Sequence, residues 1–203
     1  MAADLLLLQV LLMARVPLVE RSYGQDELAR LHRQVGFWSF NLMVAHVVFI
    51  TYGYALTAGR NPLAELWNVV WTYPGMLMAT VGTAALSMVV VTSIKAARRK
   101  LRYESWHLLH LYAYVGVGLA LPHQLWTGKD FLTSPTSTVF WWGAYLATAA
   151  AVLTYRLGLP AYRTLRHRPV VTRVVREAPD VVSVHVGGRD LHRLPVRAGQ
   201  FFL

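Results

Sequence analysis

The chain contains no cysteine, which excludes disulfides, thiolate-held iron–sulfur clusters and covalent haem attachment through a C-x-x-C-H motif. It is also poor in charge: 15% of its 203 residues are Asp, Glu, Lys or Arg, whereas 55% are hydrophobic. With a positive mean hydropathy, this balance is too apolar for an ordinary soluble domain and describes a membrane protein. Acidic residues are scarcest, ten against twenty basic ones, giving a net charge of +10. The bases sit in short blocks between apolar runs, which is a topological pattern. Membrane lipid is therefore the expected partner, and no nucleic acid is.

Uncharged stretches run from Gln34 to Ala58, Leu66 to Ile94, Ser105 to Gly128 and Phe131 to Tyr155, each meeting the roughly 20 residues a bilayer-spanning helix needs. A fifth candidate, Leu5 to Ala14, is shorter and is expected to reach about Val19 as a shortened span. It carries Asp4 in place of a basic cluster and lacks a cleavage pattern, so it reads as mature structure and not as a signal peptide. The predicted helices after it run from about His32 to Thr57, down to Ile94, from Glu104 to Trp126, and from about Ser137 to Leu159, with Pro160 as a stop signal. The fold class is thus an all-α integral membrane bundle of about five helices.

Basic connections at 21–33, 95–102 and 163–168 alternate with basic-poor ones at 57–65 and 127–138. The positive-inside rule places the first set in the cytoplasm of a multi-pass cell-membrane protein. The same rule puts the N-terminus outside, which points to a preceding helix. After Pro169 the texture becomes valine-rich, with Pro179-Asp180 and Gly187-Gly188 as turn signals. Residues 1–168 are accordingly expected to form the membrane domain, and 169–203 the cytoplasmic start of a β domain, too short to bury a core of its own.

Ionisable side chains inside a bilayer mark function by default. His32 and His46 lie on one ascending helix and His110 and His123 on the next, spaced by 14 and 13 residues. At about 1.5 Å per residue these are rises of roughly 21 and 19.5 Å. Both helices ascend, so the histidines form level pairs, His32 with His110 near the cytoplasm and His46 with His123 nearer the outside. Two pairs of imidazoles at two depths are what two stacked haems require, and filled axial positions favour electron transfer over oxygen chemistry.

A 13-residue spacing leaves an ideal helix roughly 140° from its starting face, so the second helix must deviate, with Pro122 and Gly116-Val117-Gly118 as causes. His107 competes with His110, but its separation from His123 matches the first helix less well. Arg33 and Arg102, with Arg30 and Arg98, are candidate partners for propionates of the inner haem, although topology already accounts for them. Arg60, Gln124 and Lys129 are similar candidates on the outer side. Trp38, Trp106, Trp126, Trp141 and Trp142 read as interfacial anchors, and His167, His185 and His192 as surface residues.

The segments HRQVGFWSFNLMVAH and YESWHLLHLYAYVGVGLALPHQLWTG resemble the ferric reductase-like transmembrane domain of ferric reductases and NADPH oxidases, over about Leu5 to Pro160. The resemblance implies haem ligands at His32, His46, His110 and His123. The tail VRAGQFFL is similar to the opening of a ferredoxin-reductase-type flavin-binding barrel. Together they imply electrons passing from NAD(P)H through FAD and two b haems to an outer acceptor: a ferric chelate, oxygen or a protein. Neither an aromatic-Ser/Thr flavin motif nor a nicotinamide-binding segment occurs in the 203 residues, so NAD(P)H-dependent turnover by this chain alone is not expected. The alternative is a haem subunit fed by quinol or a separate flavoprotein, as in the haem partners of periplasmic methionine sulfoxide reductases.

Overall fold

A computed structural model describes residues 2–129 and 134–194. The VRAGQFFL segment and part of the loop at 127–138 lie outside the described residues. The chain is a helical membrane bundle followed by a small two-stranded sheet.

Helix α1, Ala2–Leu12, ends well before Val19. Arg15, at φ 63°, turns the chain, and Pro17 opens α2, Pro17–Tyr23, at a position where its missing N–H costs nothing. The two helices meet at 85°, so the expected shortened span is an elbow, closed by an Arg15–Glu20 ion pair at 3.0 Å. Helix α3, Gln25–Ala58, carries Asp26 and Glu27 in its first turn, where the helix dipole favours negative charge, and stops at left-handed Gly59.

The predicted descent from Leu66 to Ile94 is two helices. Asn61 caps α4, Pro62–Thr72, by accepting from Leu63 N–H at 2.9 Å. Tyr73-Pro74-Gly75 then breaks the chain before α5, Met76–Ser93. A short α6, Lys95–Arg98, leads to α7, Tyr103–Thr127, which runs through Pro122 without interruption.

Ser134 caps α8, Pro135–Ala151. Pro160 is not a stop: a π-helical stretch over Val152–Gly158 carries the chain into α9, Leu159–His167. A proline ring collides with the carbonyl four residues earlier and donates nothing to it; the wider π turn just before Pro160 accommodates both effects. Strands β1, Val170–Ala178, and β2, Val181–Gly187, form an antiparallel hairpin exposed along most of its length.

By length and hydropathy together, α3 and α5 qualify as membrane spans. Helix α7 has 25 residues, but Glu104, Gln124 and three histidines lower its hydropathy. Helix α8 reaches spanning length only with the π stretch that continues it. The closest packing joins α5 to α7 and α1 to α3, with α1 also meeting α8. Gly82 and Gly116 bring α5 and α7 together: a Cβ on Gly82 would lie 2.8 Å from the Gly116 carbonyl oxygen, and one on Gly116 would lie 2.7 Å from Leu86 Cγ. Small residues at such a crossing replace the hydrophobic drive that lipid does not supply. Gly116 is thus a packing surface on a continuous helix, not a kink. Outward-facing side chains are largely apolar, including Phe37, Phe49, Leu108, Val139 and Leu146, as a lipid-facing surface requires.

Candidate functional site

Helices α3 and α7 are not among the closely packed pairs, yet their histidines meet across the space between them. The ring centroids of His32 and His110 are 6.0 Å apart, and those of His46 and His123 are 6.5 Å apart. An imidazole nitrogen lies roughly 1 Å from its ring centroid and a metal–imidazole bond is about 2 Å, so two imidazoles sharing one metal hold their centroids about 6 Å apart. Both pairs match that separation.

Hydrogen bonds at Nδ1 orient three of the four rings. His32 Nδ1 lies 3.0 Å from the Gln9 carbonyl oxygen; a carbonyl only accepts, so Nδ1 carries the proton and Nε2 is left with its lone pair. His123 Nδ1 lies 2.8 Å from Thr127 Oγ1, which gives its own proton to the His123 carbonyl at 2.7 Å, so this Nδ1 is again the donor. His110 Nδ1 contacts Ser93 Oγ at 3.2 Å. Tying down one ring nitrogen and freeing the other is how proteins prepare histidine to bind metal.

Each pair supplies two donors. Among the described residues no group of three or more His, Asp or Glu gathers into an ion site, so the donor sets do not suit a bare cation, which needs further protein ligands. They suit a metal whose equatorial donors come with a macrocycle, as in haem, leaving the two axial positions for histidine. The residues present therefore fit the group.

His107 stands apart from the pairs: its ring stacks on Tyr103, centroids 5.9 Å apart and planes 11° from parallel. The 13-residue spacing on α7 is accommodated without a break in the helix. Pro122 removes the hydrogen bond to the Gly118 carbonyl, which frees that turn to rotate, and Gly75 packs directly against the main chain of Pro122 and His123.

The arginines fall differently. Arg33 is exposed beside His32 and lines a surface groove with Arg30, Gln34 and Trp38. Arg102 is exposed at the N-cap of α7. Arg98 is half-buried, its guanidinium 4.4 Å from the centroid of Trp106, whose ring lies 5.0 Å from that of His110. Arg60 is committed to Glu65, which is 4% exposed, at 3.3 Å, and Gln124 accepts from Tyr145 Oη at 2.7 Å.

Several readings of the sequence change. Trp106 belongs to the inner histidine pair and Trp141 packs with Leu7 in the bundle core, so neither is simply an interfacial anchor. His167 is buried, its Nδ1 2.9 Å from the Arg189 carbonyl oxygen, where it ties α9 to the segment just after the hairpin. Arg156 was not among the candidates. It donates to the Met13 carbonyl at 2.7 Å. A basic residue in the last apolar stretch was the available signal; the π geometry that aims it was not legible.

Residues 1–121 match the family described as ferric reductase like transmembrane component. The protein-methionine-sulfoxide reductase heme-binding subunit MsrQ of Klebsiella pneumoniae is 35% identical over 132 residues, 65% of this chain and 60% of that protein. The protein of the same name from Yersinia pseudotuberculosis is 30% identical over 161 residues, 79% of this chain and 73% of the relative. The match thus spans about three-fifths of the length of the Klebsiella relative. No solved structure is significantly similar to the chain. The extent of the family match and the Yersinia relative together make the chain a member of the ferric reductase-like transmembrane component family.

Proposed function

We propose that the chain is the haem-binding membrane subunit of an oxidoreductase, moving electrons across the bilayer to a reductase partner on the outer side. The observation that carries this reading is the pair of imidazole separations, 6.0 and 6.5 Å. His32 and His110 would hold an inner haem b, and His46 and His123 an outer one. Haem held there would supply reversible one-electron chemistry. The chain's own residues orient three of the four rings, through Gln9, Ser93 and Thr127. Arg33 and Arg102 add positive charge near the inner pair, on the side that the basic loops assign to the cytoplasm.

The relatives are named as haem-binding subunits of protein-methionine-sulfoxide reductase, which supports a haem subunit with a separate partner over a self-contained NADPH oxidase or ferric reductase. The fused-flavin reading retains one supporting observation, the β-hairpin after α9. FAD and NAD(P)H belong to that second reading, in which the hairpin opens a cytoplasmic domain. The test is a pyridine haemochrome assay on the purified chain with a redox titration. Two low-spin b haems with resolved midpoints are expected, and one haem per chain would sink the paired arrangement.

A further inference from the structure

The inner histidine pair has a neighbour whose hydrogen-bonding capacity is unused. Trp106 Nε1 is buried and, among the described residues, has no hydrogen-bond partner. An indole N–H can only donate, and leaving it unpaired in an apolar interior is costly. The ring is fixed by the His110 imidazole at 5.0 Å and 34°, by the Arg98 guanidinium over its face at 4.4 Å and by the Tyr103 ring at 6.1 Å. None of them receives its N–H: Arg98 has only donors, the Nδ1 of His110 is engaged by Ser93, and the Tyr103 hydroxyl is not bonded to it. The local charge is positive as well, with the Arg98 guanidinium over the indole face. A buried donor beneath a cation, beside a ring that faces a haem position, calls for an anionic acceptor belonging to the bound group.

We propose that Trp106, held between Arg98 and His110, donates its indole N–H to a propionate carboxylate of the inner haem and thereby raises that haem's midpoint relative to the outer one. This rests on the haem-subunit reading above. Trp106 is a positioning and tuning residue, not a ligand. A propionate left unneutralised stabilises the ferric state, so taking away its donor favours oxidation.

The test uses the full chain reconstituted with haem and titrated spectroelectrochemically. W106F should keep both haems, lower the inner midpoint and leave the outer one in place. R98Q, at a half-buried position near the membrane edge, should lower the inner midpoint in the same direction by releasing the indole, and keeps the test usable if W106F fails to fold. Reconstitution with haem dimethyl ester, whose ester oxygens are uncharged and weaker acceptors, should shrink the difference between W106F and the parent. An unchanged inner midpoint in both variants, or an equal shift with the dimethyl ester, overturns the proposal while leaving the haem reading intact. A parent protein that binds no haem at all refutes the underlying reading and Trp106's assignment with it.

Discussion

Gly75 lies against the backbone of His123: a Cβ added to Gly75 would come 2.8 Å from the His123 amide nitrogen and 2.9 Å from its Cα. Gly75 also has φ +77°, a conformation in which a side chain is strained. The break between α4 and α5 thus sets where the outer imidazole stands. Gly75→Ala is expected to cost about 1–3 kcal/mol in stability from backbone strain, with displacement of α7 added. A haemochrome assay on the variant should show loss of outer haem first, with the inner haem retained.

His46→Ala and His123→Ala should each remove the outer haem, whereas His107→Ala should keep both, because His107 is engaged with Tyr103 and not with a pair. Absorption spectra with haem-to-protein ratios decide this. Loss of the inner haem in the His107 variant would transfer the ligand role from His110.

Thr127→Val removes the hydroxyl that accepts from His123 Nδ1 while nearly preserving volume. Losing such an outer partner typically weakens metal binding by about 10–100-fold. Haem titration of the apoprotein should show that loss at the outer site. Ser93→Ala should act in the same way on the inner site, through His110.

The two donors separate cleanly. The chain in sealed vesicles should have its haems reduced by a quinol analogue and not by NADPH with FAD. Failure of the quinol analogue to reduce the haems would favour the fused-flavin reading.

How legible this arrangement was in the sequence differs from residue to residue. The four histidines stood out because ionisable groups are rare in apolar helices and their spacings agree between two helices. Tyr73-Pro74-Gly75 and Arg15-Val16-Pro17 carried visible break signals, but long apolar runs on both sides outweighed them. Pro160 was misread because a π stretch leaves no mark in hydrophobic periodicity. Trp106 and Trp141 were misassigned because a tryptophan near a span end looks the same whether it faces headgroups, a histidine or the bundle core. Which neighbour it meets depends on packing between helices distant in sequence, as does the reach of Arg156 to Met13.

The elbow after α1 has a bearing on how the protein is made. Two carbonyls near the end of α1 serve the inner region: Gln9 orients His32, and Met13 receives Arg156 from the far end of the chain. The second contact spans 143 positions. The first helix can settle against α3 as soon as both have left the ribosome, but the contact from Arg156 forms only after the π stretch has been made. Assembly therefore has a built-in order, in which the π stretch after α8 fastens the end of α1 last.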